Sequence, residues 1–191
     1  MLRLRRLLGV MTLIGPALLA ACAARGATVA PDFTLTSSST GQPWALSAQR
    51  GKTVLLTFGF THCADTCPAT LAKLAHLTRA LGPPGREVEI AMVTVDPRRD
   101  TPPVLHAFVS RFDGPIVGLT GAPPAVAQVE AAYHVWAQPV PGKGGRRRGS
   151  YDVAHTAAIY LIDAAGRIRG LHEDDDSEAA LTQAVREISS S

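Results

Sequence analysis

The chain has 191 residues, carries 19 Lys and Arg against 16 Asp and Glu, and is 46% hydrophobic. That length supports one well-buried domain. The net charge of +3 comes from Arg3, Arg5 and Arg6; beyond residue 21 the remaining 16 basic residues balance the 16 acids, which removes a charge argument for a nucleic-acid partner.

Those three arginines precede an apolar stretch, Leu7 to Ala21, that is broken by Gly15 and Pro16. It is short for a membrane span and ends in small residues, so residues 1–21 read as a signal peptide. Leu19-Ala20-Ala21-Cys22 has the form of a bacterial lipobox, with cleavage before Cys22 and lipid on its sulfur. The simpler alternative is an ordinary signal peptide with Cys22 as a chance residue. The lipobox reading makes residues 22–30 a tether and residues 31–191 the exported domain, anchored to an envelope membrane outside the cytoplasm. Ala23 follows the cysteine in place of an Asp retention signal, which favours the outer membrane where there are two.

The domain pattern is α/β. Asp32 to Leu35 alternates as a strand, and Trp44 to Leu46 returns as its hairpin partner. Val54 to Phe58 is an apolar run of central-strand type. From Pro68 the period changes: Leu71, Leu74, Ala75, Thr78 and Leu81 recur at three and four, the mark of an amphipathic helix. Val88 to Val95 is a strand, and Asp100-Thr101-Pro102 opens a helix with a capping residue before proline. Ile116 to Leu119 is a short strand and Pro123 to Tyr133 a third helix. Gln138 to Ser150, rich in Gly, Pro and Arg, reads as an exposed loop. Thr156 to Ile162 and Arg167 to Leu171 form a hairpin, and Ser177 to Ile188 is the last helix. The basic cluster Lys143, Arg146, Arg147 and Arg148 and the acidic run Glu173 to Asp176 read as solvated loops. Strands alternating with helices and a closing hairpin fit a thioredoxin-like fold, a central sheet flanked by helices with an N-terminal β-hairpin.

The chemistry concentrates in Gly59-Phe60-Thr61-His62-Cys63-Ala64-Asp65-Thr66-Cys67-Pro68. Cys22, Cys63 and Cys67 are the chain's three cysteines. A disulfide closing so short a loop restricts the unfolded chain little, so Cys63 and Cys67 read as functional rather than as a staple. They lie where a strand feeds a helix, and a helix N-terminus lowers a thiol's pKa. Cys67, just before Pro68, is expected to receive most of that help. The pair can form a disulfide, hold a soft metal, or do both; thiolates select Cu(I) or zinc. His155, at a strand edge after the loop, is the candidate third ligand, with a hydrogen-bonded structural role as the alternative. His62, His76, His106, His134 and His172 read as surface or boundary residues.

The cysteine motif resembles the copper motif of the SCO/SenC family, the proteins for synthesis of cytochrome c oxidase. Val95-Asp96-Pro97-Arg98-Arg99-Asp100-Thr101-Pro102 and Tyr151-Asp152-Val153-Ala154-His155-Thr156 are similar to two further segments of that family. The resemblance runs from about Pro31 to the C-terminus. It implies a copper chaperone in which Cys63, Cys67 and His155 bind copper as Cu(I), with a Cu(II) form that imidazole would support. The implied partner is the subunit of cytochrome c oxidase bearing the dinuclear copper (CuA) site, or a related cuproprotein. Asp65 is expected to tune the site or to serve a turn, and Asp96 to end a strand or to act as an acid near the site. An acid commonly precedes the family's histidine; here the residue is Ala154. The rival function is a thiol–disulfide oxidoreductase that reduces the partner's cysteines, using Cys63 and Cys67 alone. A thiol peroxidase of the same fold is a third reading without support from a substrate-binding apparatus.

Overall fold

A computed structural model describes residues 28–142 and 151–189. The expected signal peptide, Cys22 and the basic cluster Lys143 to Arg148 lie outside them. Among the described residues, no helix is long and apolar enough to cross a membrane.

The chain begins with β1 (Thr28–Val29), β2 (Thr34–Ser37) and β3 (Pro43–Ala45). The central strand β4 (Thr53–Gly59) is followed by α1 (Thr66–Ala80), β5 (Val88–Thr94), α2 (Pro102–Val109) and β6 (Ile116–Thr120). Then come α3 (Pro123–Ala132), β7 (Ala137–Pro141), β8 (Tyr151–His155), β9 (Ala158–Ile162), β10 (Arg167–Glu173) and α4 (Glu178–Ser189). Eight strands make one sheet in the order β1-β10-β9-β4-β5-β6-β2-β3, and β7 with β8 makes a separate two-stranded ribbon. This is a thioredoxin-like α/β architecture, with the expected hairpin β2–β3 joined to the sheet through β2 and β6.

Every residue of β4 is buried, as a strand covered on both faces requires. It runs parallel to β5 and antiparallel to β9. The parallel pairs β4–β5 and β5–β6 need crossovers, and α1 and α2 supply them. On α1 the buried residues Cys67, Thr70, Leu71, Leu74, Leu77 and Thr78 recur at helical spacing, so the face that fixes the helix also places Cys67. α4 seats itself through Leu181 and Val185, both fully buried. Phe58, Tyr133 and Tyr160 form an aromatic cluster, with the Tyr133 and Tyr160 rings edge to face, centroids 5.1 Å apart at 80°. Tyr133 donates its hydroxyl to the Pro31 carbonyl at 2.8 Å, closing the N-terminal segment onto the core.

Four expectations change. Thr28 and Val29, read as tether, pair with Ile168 and Arg167 of β10. The loop read from Gln138 to Ser150 begins as strand: Ala137–Pro141 pairs residue for residue with β8. Its prolines suggested a breaker, but a ribbon edge demands no donor from them. The strand read from Thr156 starts at Ala158, and His155 instead closes β8. Finally, α1 starts at Thr66, so Pro68 is its third residue, where a missing N–H costs nothing.

Candidate metal centre

The site forms where β4 ends. Phe60 is buried, and the next five residues, Thr61 to Asp65, loop outward before α1 begins at Thr66. Gly59 makes room for the second cysteine: a Cβ there would lie 2.9 Å from Cys67 Sγ and 3.0 Å from the Met92 methyl. No side chain fits at that point without moving sulfur.

Both cysteines are free thiols, and their settings differ. Cys67 is buried, on the first turn of α1, while Cys63 is half-exposed in the loop. The Cys67 backbone N–H, an unpaired donor of the helix start, points at Cys63 Sγ at 3.2 Å. The Cys63 thiol is lowered to about 6, first by the hydrogen bond from the Cys67 thiol and then, against the opposing effect of burial, by the Cys67 and Asp65 backbone amides. The Cys67 thiol is pushed up, by that same bond to Cys63 and by its own burial. The expectation that Cys67 gains most from the helix terminus is therefore reversed. The helix N–H groups point outward past their own residue, toward the sulfur of the preceding loop.

His155 comes to the same place from the ribbon. Its Nδ1 is 3.0 Å from the Thr156 carbonyl oxygen. A carbonyl only accepts, so Nδ1 carries the proton and Nε2 presents its lone pair. That lone pair faces Cys67 Sγ at 3.8 Å. A backbone carbonyl that fixes the tautomer in this way is the usual support of a metal-binding imidazole. Taking zinc-site bond lengths of roughly 2.3 Å to sulfur and 2.1 Å to nitrogen as a guide, a trigonal angle separates the two donors by about 3.8 Å. The Cys67–His155 pair thus fits a shared first-row ion. Among the described residues, no group of three or more His, Cys, Asp or Glu side chains is already arranged around one point.

Two cavities border these residues. Behind Cys67 a small one of about 10 Å³, lined by Gly59, Thr70, Met92 and His155 among others, has room for about one water. In front, an open cleft of about 640 Å³ is walled by Phe60, Cys63, Asp65, Trp136, Tyr151 and His155 and others. Trp136 is 55% exposed at its rim, where its backbone pairs with Thr156.

The other residues singled out fall as follows. His62 is exposed in the loop, its Nδ1 3.0 Å from Thr61 Oγ1. Asp65 is exposed and precedes α1 without a side-chain cap. His76 pairs with Glu178 and His172 with Asp176, both away from the thiols, while His106 and His134 are exposed. Asp96 is buried and accepts from Arg99 and from the Tyr151 hydroxyl, so it does more than end a strand. Of the expected helix start Asp100-Thr101-Pro102, Thr101 is the N-cap position and Asp100 turns inward. It is fully buried and accepts from Thr61 N at 3.0 Å, Thr61 Oγ1 at 2.6 Å and Thr94 Oγ1 at 2.6 Å. Asp100 and Arg99 are site-supporting residues that pattern reading missed. Their signal was a run of charges, Arg98-Arg99-Asp100, set directly after a buried strand.

The SCO1/SenC family profile matches residues 22–190. The chain belongs to the SCO1/SenC family. Among SCO relatives, the mitochondrial SCO2 homolog of Bos taurus is 38% identical over 139 residues, covering 72% of this chain and 51% of that protein. The mitochondrial SCO2 homolog of Mus musculus is 34% identical over 157 residues, covering 81% and 60%. The chain thus spans roughly half to three fifths of the length of these curated SCO relatives. Of solved SCO structures, Bradyrhizobium japonicum ScoI with copper bound superposes at a TM-score of 0.74 and 33% identity, covering 84% of this chain and 99% of that one. Yeast Sco1 with copper bound gives 0.74 at 29% identity, covering 86% and 90%.

Proposed function

We propose that this chain is a copper chaperone that holds Cu(I) through Cys63, Cys67 and His155 and delivers it to the CuA site of cytochrome c oxidase. The observation that carries the reading is the 3.8 Å approach of His155 Nε2 to Cys67 Sγ, with Nδ1 committed to the Thr156 carbonyl. Two thiolates and an imidazole suit Cu(I). Copper-bound structures of similar SCO proteins support the choice of metal.

Copper is cargo here, and the chain's asymmetry orders its handling. Cys63 faces the open cleft and is the more acidic thiol, so it is the sulfur an incoming ligand meets first. Cys67 lies deeper and, with His155, retains the ion until the partner's own ligands have replaced Cys63. We further propose that residues 1–21 are removed and that Cys22 carries the lipid that holds this domain at an envelope membrane, outside the cytoplasm.

The test is an anaerobic Cu(I) titration of the reduced protein against a competing chelator. Tight one-to-one binding that needs both cysteines and weakens strongly in His155→Ala supports delivery. Weak binding indifferent to His155 favours the second reading, a thiol–disulfide oxidoreductase. That alternative draws support from the same thiol asymmetry, since a half-exposed, acidic Cys63 beside a buried Cys67 is the arrangement of an attacking and a resolving sulfur.

A further inference from the structure

The turn between β5 and α2 touches both halves of the site. Through Asp100 it holds Thr61, two residues before Cys63. Through Arg99 it holds the strand that carries His155. Arg99 donates from Nε to Asp96 and from Nη1 to the Tyr151 carbonyl oxygen at 2.9 Å. Its guanidinium carbon lies 3.7 Å from the Tyr151 ring centroid and 5.8 Å from that of Phe60. The Tyr151 hydroxyl closes the circuit by donating to Asp96 Oδ1 at 2.8 Å.

Tyr151 opens β8 and His155 ends it. Side chains alternate along a strand, so Tyr151, Val153 and His155 share one face. β8 pairs with β7 alone and takes no place in the eight-stranded sheet. Its position over the thiols is therefore not set by the sheet ladder, and Arg99 binds its first residue through both the ring face and the backbone carbonyl. Phe60 lies between the two ends: Arg99 sits over its ring, and His155 meets it edge-on with centroids 5.8 Å apart.

We propose that Arg99 is a positioning residue for the third copper ligand, fixing through Tyr151 where β8 presents His155 Nε2 to the sulfurs. The inference rests on the copper reading of Cys63, Cys67 and His155. A planar guanidinium is needed because it stacks and donates along two directions at once, which an ammonium does not.

The first arm of the test needs no copper. In metal-free protein with labelled histidines, the ring-proton resonances of His155 report its edge contact with Phe60. Arg99→Met is expected to move them toward those of an exposed histidine such as His106, and Arg99→Lys to restore them only in part. Unchanged His155 resonances in a folded Arg99→Met protein overturn the inference. The second arm is the Cu(I) competition titration. Arg99→Met is expected to weaken binding about tenfold, and to add nothing once His155→Ala is present. A full additive loss in the double variant overturns the positioning role. A wild-type protein that binds Cu(I) weakly, or without regard to His155, sinks the copper reading instead, and the resonances still decide Arg99. Should Arg99→Met fail to fold, Tyr151→Phe removes only the hydroxyl donated to Asp96 and carries the same readouts.

Discussion

The Cys67 backbone N–H points at the sulfur of Cys63, not at its own, with 3.2 Å between the atoms. The helix start thereby serves the residue four positions earlier in the chain. The two thiols of one motif are driven apart in acidity, Cys63 down and Cys67 up.

In the reduced, metal-free protein, Cys63 is accordingly the residue alkylated first. The thiolate is the reactive form, so the rate rises with pH through a midpoint near the value of about 6 to which Cys63 is lowered, and then levels. Mass mapping after brief iodoacetamide treatment from pH 5 to 9 checks this. The linkage has the matching sign: a folded pKa below the ordinary 9.0 stabilises the reduced fold fully above 9, and the contribution is lost as pH falls through about 6. Preferential labelling of Cys67, or a midpoint near 9, contradicts the arrangement.

Gly59→Ala places a methyl group 2.9 Å from Cys67 Sγ. The Met92 methyl, at the end of a flexible side chain, yields easily; the sulfur on α1 does not. Overpacking of this kind costs about 1–3 kcal/mol. Urea unfolding of the reduced protein is expected to show that loss, together with weaker Cu(I) binding because the sulfur has moved. Unaltered stability and affinity mean that the strand end is looser than its packing implies.

Asp100→Ala removes a fully buried carboxylate that accepts from the part-buried Thr61 N–H and hydroxyl and from the buried Thr94 hydroxyl. Hydrogen bonds to a charged group are worth about 1.5–3 kcal/mol each, and orphaned buried donors add to the loss. A fall of about 3 kcal/mol or more in unfolding free energy is expected. Hydrogen exchange at the Thr61 amide should accelerate. A loss below about 1 kcal/mol shows that water replaces the carboxylate at little cost.

Much of this was legible before the structure. The apolar run Val54 to Phe58 and the period of Leu71, Leu74 and Thr78 locate β4 and α1, because burial on two faces and on one face leave different spacings. Cys63 and Cys67 stand out by their place between those elements. The ribbon did not stand out. Prolines 139 and 141 mark a loop to any local reading, and only pairing with the distant β8 makes them strand. Asp100 was hidden for a related reason. Asp before Thr-Pro is an ordinary helix-start signal, and nothing nearby in sequence says that its carboxylate points at Thr61, 39 positions away. Local signals locate elements; contacts that run through the third dimension decide which side chain turns inward.

Strand β8 is also a ruler. Because successive side chains project to opposite faces, losing or gaining a single residue between Tyr151 and His155 turns the imidazole away from the sulfurs while the eight-stranded sheet stays intact. A chain altered in that way keeps its dithiol and its fold but loses the imidazole of the proposed copper site. On the copper reading, one reading-frame-preserving deletion, with no substitution at any proposed ligand, turns an ion carrier into a protein that only exchanges electrons.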